Sequence, residues 1–214
     1  MEILPSIREA DEQVLGDIYF GYFVPTVLRG RSDAFRQDLN NFLSGWIASA
    51  LDSGFDSFLE NQQDFGLASI GDFFRDRYFS KVLTVSPIES ISDVWELFWG
   101  VWADILKNTT HEESDYTGLI HKAACIYLMF YLYHCQLNDD ILSIPLAVET
   151  ISICLDIATL VFERFCISTV LDIFYFLLYR RCIRVCVNDG LQYIPQDRLG
   201  RPLGMTINDE NLDP

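Results

Sequence analysis

The stretch from Leu119 to Val187 holds the chain's greatest density of aliphatic and aromatic residues, together with all six cysteines. Its densest part is Ala123 to Gln136, AACIYLMFYLYHCQ. A segment of that kind must be hidden, and what hides it sets the class of the protein. Lipid, an internal core and a partner subunit are the three candidates. The apolar run from Ala123 to Cys135 falls short of the roughly 20 residues that cross a bilayer. Later apolar stretches are interrupted by Glu149, Asp156, Glu163, Arg164 and Asp172, each costing about 2.5–3.5 kcal/mol at mid-bilayer. The expectation is a set of helices in water, with no membrane contact.

With 214 residues the chain can bury roughly 70% of the surface it exposes when unfolded, so it can build a core of its own. A formal charge of −16 repels phosphate, which argues against nucleic-acid binding by the chain alone and favours docking onto a basic partner. Met1-Glu2-Ile3-Leu4-Pro5 has no basic start of a secretory signal. Cys125, Cys135, Cys154, Cys166, Cys182 and Cys186 are therefore read as reduced thiols behaving as small hydrophobes. None forms a CxxC pair, and Asn108-Thr109-Thr110 is a sequon by chance.

Helical periods dominate and strand signals are weak. An uncertain first helix lies near Ile7 to Phe23. Asp33 to Leu51 carries Phe35, Leu39, Phe42, Leu43, Trp46, Ile47 and Ala50 on one stripe, capped by Ser32 or Asp33 and closed at Asp52-Ser53-Gly54. Phe55 to Leu67 reads as a connection with about one helical turn, and Ile70 to Val82 as a short helix broken by Ser86-Pro87. Asp93 with Glu96 has capping-box spacing ahead of Val94, Trp95, Phe98, Trp102, Ile105 and Leu106. Lys107 to Asp115 is the best internal linker. A long helix is expected from Thr117 to Gln136, then a turn at Asn138-Asp139-Asp140. Ser143-Ile144-Pro145 opens another, with proline in the first turn, that continues to Phe165. Ser168 or Thr169 caps the last, which reaches Val187 and places Cys182 and Cys186 on one face. The expected fold is all-α, a bundle or short array of about six to eight helices, followed by a disordered C-terminal tail from residue 188.

No G-x-S-x-G, P-loop, HExxH or dinucleotide-binding glycine pattern occurs. No carboxylates pair in a recognisable acid–base arrangement, so an enzyme is not expected, nor a cofactor, metal or small-molecule substrate. Arg180, Arg181 and Arg184 form the one basic cluster. They read as cations balancing a helix C-terminus, or as contacts to phosphate or to an acidic partner.

Tyr127-Leu128-Met129-Phe130-Tyr131-Leu132-Tyr133-His134-Cys135-Gln136 resembles the Y-L-L-Y-x-L-Y-x-x-Q pattern of subunit 1 of the small nuclear RNA-activating protein complex. His134-Cys135 stand where that family has smaller polar residues. Ile144-Pro145-Leu146-Ala147-Val148 resembles the family's next helix start, and Asp172-Ile173-Phe174-Tyr175-Phe176-Leu177 its aromatic-rich helix. Phe65 to Leu83 and Val94 to Leu106 resemble the two helices before them. The likeness covers residues 65–187, leaving 1–64 as an N-terminal helical region of unknown kinship and 188–214 as a tail. It implies a nuclear, non-enzymatic scaffold in a promoter-binding factor for small nuclear RNA genes. Such a subunit holds a Myb-repeat DNA-binding subunit and a zinc-containing subunit, and reaches promoter DNA only through the complex. Tyr127, Leu128, Tyr131, Phe174, Phe176 and Leu177 would build its hydrophobic seam, part core and part partner-binding. Arg180, Arg181 and Arg184 are the residues nominated for phosphate contact. A TPR- or HEAT-like helical adaptor with unrelated partners is the alternative.

Overall fold

Ala123 to Met129 are buried without exception, seven consecutive residues in the middle of a helix. Only a helix surrounded on all sides buries a full two turns, so this segment is the centre of an internal core. The computed structural model describes residues 30–189 except 53, 62, 86–88, 110–115 and 137–140. The expected first helix, the Ser86-Pro87 break, the turn at Asn138 to Asp140 and the tail from residue 190 lie outside the described residues, as does most of the linker. Asp189, expected in the disordered tail, is instead fixed against Ala147 and Thr150. The described residues group into one unit.

Seven α-helices are seen among the described residues: α1 (Arg31–Ala50), α2 (Phe55–Asn61), α3 (Leu67–Asp76), α4 (Ile91–Asn108), α5 (Tyr116–His134), α6 (Val148–Phe165) and α7 (Thr169–Tyr179). A 3₁₀ turn, Phe79–Leu83, follows α3. The chain is all-α in class. Helix α5 runs through the centre, with α1, α3, α4, α6 and α7 packed round it. The α1 stripe is buried as expected, from Phe35 to Ile47, and Phe35 meets Phe98 of α4 edge-on at 5.3 Å. The chain on either side of position 64 therefore shares one core, further tied by the Tyr127 hydroxyl donating to the Asp64 carbonyl at 2.9 Å.

Several boundaries differ from the sequence reading for local reasons. Helix α1 starts at Arg31 behind Gly30 (φ 82°), without a cap from Ser32 or Asp33. Arg31 is anchored by the Thr84 carbonyl at 2.7 Å and by Glu89 at 3.2 Å, which pulls the first turn back. The connection after Gly54 contains a seven-residue helix rather than a single turn. The helix expected from Ile70 to Val82 is divided at Tyr78, whose φ of 52° turns the chain. That turn lays Phe79 on Phe42, ring centroids 4.2 Å apart. Helix α4 is capped by Ser90, which accepts the Asp93 N–H at 3.4 Å, so the capping residues sit one turn before the Asp93–Glu96 pair. Lys107, expected in a linker, closes α4 and bonds Glu149 and Asp189, each at 2.9 Å.

The largest correction concerns two short strands. Ile144–Ala147, expected to open a helix, is β1, and Ile183–Cys186, expected inside the last helix, is β2. They pair in parallel, Ile144 opposite Ile183 through Ala147 opposite Cys186. The Ile144 N–H donates to the Cys182 carbonyl at 2.8 Å. In a parallel ladder that phase turns Ile144 and Leu146 toward β2 and Pro145 away from it. The missing N–H of Pro145 thus falls on the unpaired side, where a proline costs no ladder bond. Cys182 and Cys186 consequently share no helix face.

Helix α7 stops at Tyr179 in a Schellman turn. The Arg181 N–H donates to the Leu178 carbonyl and the Cys182 N–H to the Leu177 carbonyl, at 3.0 and 2.9 Å. Arg181 takes the left-handed position usually given to glycine, with φ 58°. Relief of that strain, less the extra freedom of an unfolded glycine, predicts that Arg181→Gly raises stability by about 0.5–1 kcal/mol. Urea unfolding reads it, and a loss of stability would contradict the turn.

Candidate functional site

Of the six seam residues, Tyr127, Leu128, Phe174 and Leu177 are fully buried. They are core, and present no surface to a partner. Tyr127 and Tyr131 lie one turn apart on α5 and face the start of α3. The Tyr131 hydroxyl donates to the Leu67 carbonyl at 2.9 Å, and its ring stacks on Phe74. Burial, then the neighbouring Asp64, pushes both phenols above their ordinary range, so they stay neutral donors. Asp64 completes the corner: its carboxylate accepts the Gly66 and Ala68 N–H groups at 3.0 and 2.7 Å. Gln136 works similarly at the far end of α5. Its side-chain amide both donates to the Leu142 carbonyl (3.0 Å) and accepts the Leu142 N–H (2.8 Å). Tyr127, Tyr131 and Gln136 therefore tie the start of α3 and the segment before β1 to the central helix.

Phe176 is the one seam residue that is well exposed. Its ring lies against Phe130 and His134, at 5.9 and 5.8 Å, and the Arg180 guanidinium sits 5.7 Å from its centroid. Beside it on the outer side of α7 are Tyr175 and Tyr179, the latter 86% exposed. Val185 and Val187, which follow the helix in the chain, are 62% and 86% exposed. Half of the large hydrophobic residues exposed among the described residues thus fall between positions 175 and 187. Tyr175, Tyr179, Val185 and Val187 were missed in the sequence reading, although the nearly all-apolar circumference of α7 was the available signal. The arginines are not equivalent. Arg184 stands on β2 and is held by Glu96 at 2.7 Å, whereas Arg180 and Arg181 are exposed and have no carboxylate partner among the described residues.

Other polar groups are engaged structurally. His121 lies beside Thr109 (3.3 Å) and the Cys125 sulfur (3.9 Å). Burial pushes the Cys125 thiol up to about 12 and raises Cys154 as well, so neither is a thiolate nucleophile at neutral pH. All six cysteines are free. Among the described residues no group of three His, Cys, Asp or Glu is placed to hold a metal, and no helix is long and apolar enough to cross a membrane. A cavity of about 230 Å³ is lined by residues including Leu83, Ile91, Trp95, Leu132 and Cys135, with no charged side chain or histidine among the described residues of its wall.

Burial, then the nearby Lys122, lowers the His121 pKa. A folded value below the unfolded one means that the unfolded chain binds the extra proton. Stability from this group is complete above pH about 6.5 and declines as pH falls below it. His121→Gln is expected to flatten the difference between urea midpoints at pH 5 and pH 7.5. An unchanged difference would show that another group titrates there.

No protein family, curated protein or solved structure matches the chain.

Proposed function

We propose that this chain is a non-enzymatic helical scaffold subunit of a nuclear, promoter-binding transcription factor complex that serves small nuclear RNA genes. It holds a Myb-repeat DNA-binding subunit and a zinc-containing subunit, and meets promoter DNA through them. The observation that carries an assembly role is the apolar surface of Tyr175, Phe176, Tyr179, Val185 and Val187. Large apolar side chains left in water are a usual mark of an association surface, and aromatic side chains with arginine supply most hot-spot energy. The likeness of Tyr127 to Gln136 to subunit 1 of the small nuclear RNA-activating complex supports the identity of that assembly. The structural uses of Tyr127, Tyr131 and Gln136 account for why a helix would need those residues at those places.

Affinity purification of the tagged chain from nuclear extract, followed by mass spectrometry, tests the reading. A Myb-repeat protein and a zinc-containing protein are expected together. Recovery of unrelated partners alone would make the chain a helical adaptor of a different complex. Tyr175→Asp with Tyr179→Asp is expected to abolish co-purification while moving the melting temperature little, because surface changes are usually within about 0.5 kcal/mol. Retained partners would move the association surface elsewhere.

A further inference from the structure

The strand β2 has one paired side and one open side. Its bonds to β1 use the Cys182 carbonyl and, by the parallel alternation, the backbone of Arg184 and the N–H of Cys186. The N–H and C=O groups of Ile183 and Val185 point the other way, and the sheet has no third strand among the described residues. An open strand edge is a template for an added strand. Short, buried β1 offers no such template, since Pro145 lacks the N–H and the Ala147 N–H is taken by Asp189 at 2.6 Å.

What would fill the edge is narrowed by charge. Three of the chain's fifteen cationic residues fall within positions 180–184. Among the described residues Arg180 and Arg181, next to this edge in the chain, have no carboxylate partner. A second copy pairing along this edge would set the same arginines against each other, so self-association here is opposed. An acidic segment suits Arg180 and Arg181, and alternate apolar side chains suit the exposed Val185.

We infer that the open edge of β2 takes an extended, acidic and apolar segment of a partner protein as a third strand. The inference rests on the assembly reading above and names the chemistry of the partner segment. Backbone bonds from Ile183 and Val185 supply affinity that is indifferent to sequence. Arg180 and Arg181 supply the preference for acid, and the exposed valines and tyrosines select apolar residues at alternate positions.

The test uses the full chain and two fluorescent octapeptides, one alternating aspartate with valine and one alternating lysine with valine. The acidic peptide is expected to bind at least about ten-fold more tightly, with the preference reversed in Arg180→Glu with Arg181→Glu. Val185→Pro removes only an outward N–H and is expected to weaken binding about ten-fold or more with β1 pairing intact. Should that variant not fold, amide exchange on the unaltered chain decides: saturating acidic peptide must slow Ile183 and Val185 selectively. Equal binding of the two peptides, or unchanged exchange at those amides, overturns the inference. So does protection of the same amides by self-association at high concentration. Displacement of the acidic peptide by oligothymidylate with tighter binding also overturns it, assigning the arginines to phosphate. Co-purification of the two expected subunits alongside a failed edge test removes this inference and leaves the scaffold reading in place.

Discussion

Gly66→Ala is expected to cost about 3 kcal/mol and lower the melting temperature by roughly 10 °C, the second figure following from the size of the domain. Two effects combine. Gly66 has φ +90°, where a Cβ costs about 1–2 kcal/mol. The added carbon would also lie 2.7 Å from Cζ2 and 3.1 Å from Cη2 of Trp46, and 3.3 Å from Cε2 of Phe58. The Trp46 ring cannot retreat easily. It is buried, and its indole N–H is tied to the Ser69 hydroxyl at 3.2 Å. Overpacking of that kind adds about 1–3 kcal/mol. Gly54→Ala isolates the backbone share, because Gly54 has φ +87° with nothing within 4 Å of the added carbon. It should cost only about 0.5–1 kcal/mol, the left-handed strain less the freedom an unfolded glycine loses on substitution. Chemical denaturation followed by tryptophan fluorescence measures both. Equal losses at the two sites would mean that the corner before α3 is looser than the Trp46 contact requires.

Asp189→Ala is expected to destabilise by a comparable amount, about 3 kcal/mol, by leaving several groups unsatisfied together. Ala147 is the N-cap of α6 and has no side chain able to cap it. Asp189 does so from 42 positions along the chain, accepting the Ala147 N–H and the Thr150 hydroxyl, each at 2.6 Å. Its negative charge also meets the positive end of α6. Thr150 is fully buried, so loss of the carboxylate strands a hydroxyl away from water, at about 1–3 kcal/mol. Lys107 loses one of its two carboxylates. Burial alone would lower its ammonium pKa, but Asp189 and Glu149 outweigh burial and hold it above the ordinary value. Thr150→Val alone is expected to cost less, about 1–2 kcal/mol. The double variant should then fall short of the sum by about 1 kcal/mol, as for residues sharing one network. Strict additivity in urea unfolding would show that Asp189 and Thr150 do not act together.

The helices that form the core were legible because their apolar residues recur at three and four. Phe35 to Ile47 on α1, Val94 to Leu106 on α4 and the unbroken run in α5 all appear where that period puts them. The same reasoning failed at Ile144–Ala147 and Ile183–Cys186. Four apolar or β-branched residues look alike as one turn of helix or as a buried strand. Each became a strand because the other lies beside it, 39 positions away. The candidate surface was half legible. A helix with no polar side, α7, announced that some apolar groups must be left over, yet the alternation of Phe174 inside and Phe176 outside depends on where α5 and α6 touch it.

Local periodicity, intrinsic to the order of residues, decided that this chain would be helical, with its greasiest segment hidden and no bilayer-length span in the described helices. Packing at long range decided the remainder: which aromatic rings close the core and which face water, where two short strands meet, and that a carboxylate at Asp189 caps a helix begun at Val148. Those outcomes rest on contacts between residues far apart in sequence. Their energies arise only once the intervening helices have brought the partners together.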